Sequence, residues 1–252
     1  MIMEKVLAAA RVHLEGKTVR DLVIGVSLIA CELDCGDVGV SYVLRDELPN
    51  GCSVFPYAHQ AINRPAFEIA QWSVSGGDDL QRGIASAVLA AASRGQDIPD
   101  EDKNGPPFGL DVTRNDTVGM VGLIAPIAAR LKNMAGKMIV FDKGLSPHGE
   151  DDMLRGENLK PTLLPECDIV ILSGTTTTNG TIDSLLEMCT GAKEVVLAGP
   201  STPMFPAGWA GTRVTRLAGS WWMNGNKDEI FRLVSLACGI SHIQKFMIKK
   251  LA

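Results

Sequence analysis

The stretch LPECDIVILSGTTTTNGTIDSLLEMC, residues 164–189, decides the fold of this 252-residue chain. An apolar run at residues 169–172 ends abruptly in Ser173 and Gly174, and four threonines follow before an amphipathic helical pattern begins near Thr181. A buried strand, a hydroxyl-lined loop and a helix N-terminus in this order are typical of an open α/β sheet, which binds ligands at the carboxyl ends of its strands. The stretch therefore predicts where a ligand is bound, without identifying that ligand.

The composition is that of an ordinary globular protein, with 46% hydrophobic and 21% charged residues. A formal net charge of -5 argues against nucleic acid and anionic membranes as main partners, because both favour a basic face. The apolar runs are shorter than the ~18 residues that suggest a membrane span, and an early Glu4 argues against a secretory signal. We expect a cytoplasmic protein with a small-molecule partner. The oligomeric state stays open, with a homodimer as the common default.

The cysteines and histidines do not form a recognisable metal motif. Six cysteines are scattered without a CxxC pair, which indicates reduced thiols, and four histidines are too dispersed for a zinc motif. On an extended strand the sulfurs of Cys31 and Cys35 would lie ~13 Å apart, too far for one ion to bridge with zinc–sulfur bonds of ~2.3 Å. Buried structural thiols are therefore favoured unless a turn brings this pair together. The roles of these two residues, Cys52 and His59 stay open.

A change in composition divides the chain into two predicted domains. The stretch GQDIPDEDKNGPPFGLDVTRND, which ends at Asp116, concentrates glycine, proline, aspartate and asparagine, and these residues favour turns. We predict a first domain at residues 1–95, a linker at 96–116 and a second domain at 117–252.

The first domain is predicted to be a small α+β unit. Helical patterns cover residues 2–14, 64–72 and the alanine-rich stretch 78–93. Residues 18–32 are rich in β-branched and apolar side chains and predict one strand, with residues 38–44 as its hairpin partner. The order α-β-β-α-α predicts helices that cover one face of an antiparallel sheet.

The second domain is predicted to be an α/β, Rossmann-like unit with helices on both faces of a parallel sheet. Its near-continuous apolar strands alternate with helices, which is typical of that arrangement. The predicted strands are residues 117–125, 137–142, 167–173, 194–199 and 213–219, and the predicted helices are 126–134, 181–189 and 227–238. The segment of residues 143–163 is long and polar. We predict that it forms an ordered loop over the site instead of a crossover helix.

A glycine pair at the start of the second domain resembles part of a dinucleotide-binding turn. Gly119 and Gly122 occupy two positions of a fingerprint that needs a third glycine for close helix packing. That third glycine is missing, and Ile124 and Pro126 would crowd a pyrophosphate. Asp142 lies roughly where a ribose-binding acid would fall. A turn that holds some other ligand is still favoured over a classical NAD or NADP site.

Three turns at strand ends are predicted to bind the ligand. They follow the first, third and fourth strands of the second domain and share one rim opposite the first domain, because parallel strands end at the same edge. The ligand-binding residues predicted there are Gly122, Ser173, Gly174, Thr175, Thr176, Gly199, Pro200, Ser201 and Thr202. Their amides and hydroxyls suit an oxyanion such as phosphate or carboxylate. The alternative is that the hydroxyls only cap the helix end.

Asp142 and His148 are the candidates for catalysis or metal contact. Both follow the second predicted strand, and a histidine near a carboxylate can act as a general base or a metal ligand. The alternative for His148 is a surface-loop histidine without a chemical role.

Several of these segments resemble a family catalogued under "putative heavy-metal chelation". The matching segments are LPECDIVIL, SLLEM, AGPSTPM and LAGSWW. Looser matches are DLVIGVS, the four residues GDVG that end at Gly39 and begin a predicted strand, and the alanine-rich helix. The resemblance implies an enolase-N-terminal-like domain joined to a Rossmann-like domain, with a ligand cleft where the two meet. It carries over the loops at Gly122, at residues 173–176 and at residues 199–202 as walls of that cleft.

Three functional hypotheses follow from the sequence. The first is binding of a small anionic or metal-chelating ligand between the domains, in heavy-metal chelation or handling, as the resemblance implies. The second is an enzyme that acts on a nucleotide-like or amino-acid-derived molecule. The third is a non-catalytic interaction module. The cofactor stays unidentified, with a divalent heavy metal as the one that the resemblance suggests.

Overall fold

The described residues form two β-sheets of different size. The computed structural model describes residues 1–45, 55–145 and 153–252, so His148 and Cys52 lie outside the described residues. The N-terminal part forms a three-stranded antiparallel sheet, and the C-terminal part forms a seven-stranded, mostly parallel sheet flanked by helices. The predicted fold class, a Rossmann-like α/β sheet with a smaller α+β part, is confirmed.

The N-terminal part is a β-meander covered by helices. Its elements in chain order are α1 (Ile2–Leu14), β1 (Val19–Ile24), β2 (Leu28–Leu33), β3 (Val38–Tyr42), α2 (Ala66–Ala70), α3 (Trp72–Ser75) and α4 (Asp79–Ala92). The strands pair in the order β1-β2-β3. Asp78 caps α4, because its side chain accepts a hydrogen bond from the backbone N–H of Gln81 at 2.8 Å.

The single strand predicted over residues 18–32 is wrong, because a turn at residues 25–27 divides it into β1 and β2. Every residue of β2, the central strand of this sheet, is buried. Its side chains therefore do not alternate between apolar and polar, as they would in a strand with one face in water. Gly25 lies where a helix from the C-terminal part passes: a Cβ there would lie 2.2 Å from the carbonyl oxygen of Val234. The predicted helix at residues 64–72 is likewise divided, into α2 and α3.

The C-terminal part alternates strands and helices around the larger sheet. Its elements are β4 (Thr117–Val121), α5 (Ala125–Lys132), β5 (Lys137–Phe141), β6 (Leu154–Arg155), α6 (Lys160–Leu163), β7 (Ile169–Ser173), α7 (Thr175–Thr178), α8 (Ile182–Met188), β8 (Glu194–Ala198), α9 (Pro206–Trp209), β9 (Arg216–Trp222), α10 (Lys227–Ser235), α11 (Ile240–Ile243) and β10 (Met247–Leu251). The strand order is β10-β9-β8-β7-β4-β5-β6, and among these described strands only the edge strand β10 is antiparallel to its neighbour.

Several short elements of the larger unit were not predicted, namely the strands β6 and β10 and the helices α6, α7, α9 and α11. The described part of the predicted loop at residues 143–163 contains β6 and α6, which have two and four residues and leave little pattern in the sequence. The edge strand β10, MIKKL, contains two lysines and shows no continuous apolar run. The strand predicted at residues 213–219 begins instead at Arg216 and continues to Trp222, three residues further than expected.

Both faces of the larger sheet are covered, and the alternation of side chains along β7 shows how. Val170 and Leu172 join the core cluster that includes α1, α4 and α8, whereas Ile169 and Ile171 face the cluster under α5. The sheet is therefore the middle layer of three, as expected for parallel strands that are apolar on both sides.

The smaller sheet lies between one helix of the N-terminal part and one helix of the C-terminal part. α4 packs on one face, and α10 packs on the other through Ile230 and Val234 against Leu28 and Val40. A helix from the C-terminal part thus completes the core of the N-terminal sheet. This arrangement holds the smaller sheet against the carboxyl edge of the larger one, where the candidate site lies. The predicted domain boundaries stay a prediction.

Candidate functional site

A cleft of about 750 Å³ opens at the carboxyl edge of the larger sheet. Its floor includes the turns after β4, β7 and β8, which contribute Gly122, Ser173, Thr175 and Gly199 to the lining. These turns lie side by side because β4 and β8 both pair in parallel with β7. The volume lies within the ~300–1,000 Å³ that is usual for small-molecule sites.

The first wall of the cleft comes from the N-terminal sheet. The end of β3 and the residues after it, from Tyr42 to Arg45, line this side. The backbone N–H of Tyr42 donates a hydrogen bond of 3.0 Å to Ser201 Oγ, which joins this wall to the turn after β8. Burial raises the pKa of the Tyr42 hydroxyl, so this side chain is a neutral hydrogen-bonding group at physiological pH.

The opposite wall is formed by β9 and β10. The pairing of β8 with β9 ends at Ala198 and Ala218, but β9 continues for four more residues and therefore rises above the floor. Ser220 and Lys249 line the cleft from this wall, and Glu101 lines it from the predicted linker. Sequence reasoning missed all three. In the sequence, the one sign of a functional residue on this wall was the serine inside the otherwise apolar segment LAGSWW.

The turn after β4 depends on two glycines that have different roles. Gly119 lies within β4 and not in the turn, and a Cβ there would lie 2.8 Å from Cys167 Sγ. Gly122 forms the turn with a φ of 82°, and its Cβ would lie 2.7 Å from the Cβ of Ser173. A residue without a Cβ is thus required at position 122 for two reasons, the positive φ of its backbone and its close contact with the neighbouring turn.

The hydroxyls of the threonine segment divide into two groups. Thr176 Oγ1 donates to the carbonyl of Ser173 at 2.7 Å, and Thr177 Oγ1 donates to the carbonyl of Gly174 at 2.7 Å. Ser173 and Thr175 share a hydrogen bond of 2.8 Å between their hydroxyl oxygens, and both line the cleft. The hydroxyls of Thr176 and Thr177 are therefore used within the segment, where they donate to carbonyls and do not cap N–H groups. Thr176 also lines the cleft, and Ser173 Oγ accepts a hydrogen bond from the N–H of Thr175 at 3.4 Å.

The turn after β8 contributes backbone more than side chains. Gly199 has a φ of 115° with open space above its Cα, and it lines the cleft together with Pro200. Ser201 and Thr202 are buried outside the lining. Gly174 is buried too, because a Cβ on it would lie 2.6 Å from the backbone nitrogen of Thr202. The glycine thus allows the turns after β7 and β8 to touch.

Asp142 lines the cleft and fixes two of its turns. Its Oδ2 accepts a hydrogen bond of 2.7 Å from the N–H of Leu123, and its Oδ1 accepts one of 2.9 Å from the N–H of Gly144. Each oxygen keeps a further lone pair, but the geometry is that of a positioning group. The other catalytic candidate, His148, lies outside the described residues.

We expect Asp142→Asn to weaken the fold as well as the site. An asparagine has one acceptor oxygen, so one of the two backbone N–H groups would face an NH₂ donor. Loss of a hydrogen bond to a charged acceptor should lower the free energy of unfolding by about 1.5–3 kcal/mol, which urea titration would measure. Asn115→Ala, at an exposed turn, is the control. An unchanged urea midpoint for Asp142→Asn would contradict the positioning role.

The described residues do not fit a metal ion that the protein holds directly. Residues 1–45, 55–145 and 153–252 contain no group of three or more histidine, cysteine, aspartate or glutamate side chains that could hold one. Cys31 is buried in β2, whereas Cys35 lies exposed beyond the end of that strand, and His59 lies exposed in the 3₁₀ helix Ala58–Ala61. Burial, and then the carboxylates of Asp21 and Glu32, raise the pKa of the Cys31 thiol.

Buried thiols elsewhere are also held in the protonated form. Burial is the main cause that raises the pKa of Cys167 to about 11 and that of Cys189 to about 12. Both side chains lie in the core cluster, and each thiol donates to a backbone carbonyl, that of Leu163 for Cys167 and that of Leu185 for Cys189, as expected of packing residues. In the described part of the chain, none of the helices is long and apolar enough to cross a membrane.

Together the sheet, its covered faces and the cleft define an α/β protein with a Rossmann-like unit whose carboxyl edge is closed by a small antiparallel sheet. Residues 107–252 match the model of the family DUF364, described as "Putative heavy-metal chelation", and residues 7–93 match DUF4213, which has the same description. The first match covers more than half of the chain, which therefore belongs to the DUF364 family. The resemblance inferred from the sequence is confirmed.

Other proteins are similar to this chain at low sequence identity. An uncharacterized protein of Methanocaldococcus jannaschii is 31% identical over 157 residues, which cover 61% of this chain and 60% of that protein. Two solved structures, each of a DUF364 protein of unknown function, match the whole chain. That from Pyrococcus horikoshii has a TM-score of 0.78 at 21% identity over 99% of its length. That from Desulfitobacterium hafniense has a TM-score of 0.81 at 19% identity over 97%. At these identities they support the fold alone.

Proposed function

We propose that the protein binds a small anionic molecule, free or as a metal chelate, in the cleft at the carboxyl edge of the larger sheet. The observation that carries the proposal is the floor of the cleft, where backbone from three turns converges with the first turn of α5. The N–H groups of Gly122, Leu123 and Gly199 already donate within the protein, so the positive end of the α5 dipole is the backbone feature that favours an oxyanion here. The hydroxyls of Ser173 and Thr175 add neutral donors beside it.

A metal ion fits this proposal as cargo carried by the ligand. Among the described residues no side-chain group suits a metal ion, so the ligand itself would supply the donor atoms. Binding of a metal as part of a chelate agrees with the description of the family and requires no metal site in the protein. The proposal places this binding in the cytoplasm, because the described cysteines are unpaired thiols, as is usual there.

Binding is favoured over the enzyme hypothesis by the surroundings of Asp142. A general base needs a carboxylate that can reach a substrate proton, whereas both oxygens of Asp142 already accept backbone N–H groups. The interaction-module hypothesis is less favoured, because a concave cleft of this volume suits a small molecule better than a protein surface.

Calorimetric titration tests the proposal. We expect phosphate, citrate or nickel citrate to bind wild-type protein at one saturable site with a dissociation constant below about 1 mM, equivalent to about -4.1 kcal/mol. Nickel chloride alone should give no saturable heat in a non-coordinating buffer. If all three anions fail to bind and also fail to raise the melting temperature, the proposal is wrong. Tight binding of nickel alone would contradict the proposal that the ligand carries the metal ion.

A further inference from the structure

One face of the β9–β10 wall contains a polar pair between two apolar pairs. The strands pair residue by residue, with Ala218 opposite Leu251, Ser220 opposite Lys249, and Trp222 opposite Met247. Side chains of directly opposed residues lie on the same face of an antiparallel pair. The first pair packs in the core under α5, and the last pair packs in the core of the smaller sheet. The polar pair therefore lies between these two cores, where the cleft opens.

The hydroxyl of Ser220 is buried without a partner. The residue is 3% exposed, and its Oγ has no hydrogen-bond partner among the described residues although it lines the cleft. A buried polar atom without a partner destabilises a fold, and native structures contain few of them. Alanine would fill this position without that cost. An unpaired, buried hydroxyl on a residue that lines a cleft is therefore best explained by a ligand that bonds to it.

Two opposite charges lie close together on the same wall, one of them on Lys249, the strand partner of Ser220, and no hydrogen bond joins them. Lys249 Nζ lies 3.8 Å from Glu101 Oε2, beyond hydrogen-bond distance, and the two side chains are 50% and 11% exposed. The backbone holds Glu101 in place, because its N–H donates to the carbonyl of Lys249 at 3.0 Å. Its Oε1 also accepts from the N–H of Phe108 at 3.3 Å. Both charged groups keep the capacity to bind a partner of opposite sign.

We propose that this wall recognises the zwitterionic head of an α-amino carboxylate. Ser220 Oγ and Lys249 Nζ bind its carboxylate, and Glu101 binds its ammonium. A simple anion would be attracted by Lys249 but repelled by Glu101, whereas an amino carboxylate satisfies both charges and the hydroxyl together. The inference rests on the proposed function and deepens it. The floor binds a further acidic group of the same ligand, so an acidic amino acid or an aminopolycarboxylate chelator is the class that fits.

L-Aspartate and succinate are the matched probes, because they differ only in the ammonium group. We expect wild-type protein to bind aspartate about tenfold more tightly than succinate in calorimetric titration. That ratio corresponds to one hydrogen bond to a charged group at the lower end of its usual strength. Glu101→Gln should weaken aspartate binding to the level of succinate and leave succinate unchanged or improved. Ser220→Ala and Lys249→Met should each weaken both ligands about tenfold.

Matched controls and a ligand-free measurement separate recognition from folding. Ser235→Ala and Lys245→Met remove the same side-chain types at exposed positions of α10 and the 3₁₀ helix Gln244–Phe246, and they should bind both probes as wild type does. Ser220→Ala should raise the melting temperature of the ligand-free protein by about 2–4 °C, because it removes the unpaired hydroxyl.

Each outcome decides between the two proposals. Equal affinity of the wild-type protein for aspartate and succinate would overturn the amino-carboxylate inference and leave anion binding intact. The same holds if citrate binds but neither probe does, or if the three wall variants retain wild-type affinities. Failure of every anion would overturn both proposals.

Discussion

Gly39→Ala should destabilise the protein by about 3 kcal/mol or more, although it adds a single methyl group. A Cβ at this position of β3 would lie 2.0 Å from the carbonyl oxygen of Ala87 and 2.3 Å from the backbone nitrogen of Ala91. Both atoms belong to the backbone of α4, which cannot rotate out of the way as a side chain can. The helix would have to move away from the sheet as a whole.

Thermal and urea unfolding measure this effect, with Gly225→Ala as the matched control. A Cβ on Gly225 meets no atom within 4 Å and its φ is not in the left-handed region, so the control should change the free energy of unfolding by less than about 0.5 kcal/mol. The melting temperature of Gly39→Ala should fall by roughly 6 °C or more, at ~2–4 °C per kcal/mol for a chain of this size. Equal stability of the two variants would show that α4 does not rest on β3 as described.

The contact at Gly39 also reaches the candidate site. β3 ends at Tyr42, the first residue of the N-terminal wall, and Arg82 on α4 donates a hydrogen bond of 2.6 Å to the carbonyl of Thr178. A shift of α4 would therefore displace the threonine segment relative to the wall. We expect the Gly39→Ala variant to lose anion binding even at temperatures where it remains folded.

Local patterns predicted the elements that are long and strongly periodic. The buried strands β4, β5, β7 and β8 and the helices α4 and α10 lie where the sequence indicated. The alanine-rich stretch was predicted as a helix from its propensity, but tight packing explains the small side chains, since Ala87 and Ala91 lie against Gly39. The strand β6 has two residues, and β10 has two lysines among its five, so neither shows the continuous apolar run of the buried strands; both form because the neighbouring strand offers hydrogen bonds.

The floor of the site was more predictable than its walls. Parallel strands must end at one edge, so the turns at Gly122, Ser173 and Gly199 could be grouped from connectivity alone. Ser220, Lys249 and Glu101 come from three distant segments, which only sheet pairing and an isolated bridge between Asp100 and Lys250 bring together. No spacing rule in the sequence joins them.

The direction of single hydroxyls was also beyond the sequence. Ser201 and Thr202 looked equivalent to Ser173 and Thr175, yet the first pair is buried and the second lines the cleft. Turn residues have no fixed alternation, so tertiary contacts decide which way each points. The N–H of Tyr42, which donates to Ser201 Oγ, is such a contact.

Ala125→Trp should abolish anion binding while leaving the fold intact. Ala125 is the first residue of α5, is exposed, and lines the cleft beside the turn at Gly122. An indole there occupies the space above the turns of the floor and excludes the ligand. We expect the affinity for citrate to fall at least about 100-fold, or about 2.8 kcal/mol, in calorimetric titration. The melting temperature should change little, because an exposed substitution rarely alters the free energy of unfolding by more than about 0.5 kcal/mol.

Ala129→Trp is the control that makes this result specific to the cleft. Ala129 is also exposed, lies one helical turn further along the same face of α5, and does not line the cleft. Both variants add the same side chain to the same helix, so any general effect of an exposed indole appears in both. Binding lost only in Ala125→Trp would locate the ligand at the floor formed by the three turns. If both variants bind citrate as wild type does, the anion lies elsewhere on the molecule and the floor has only a structural role.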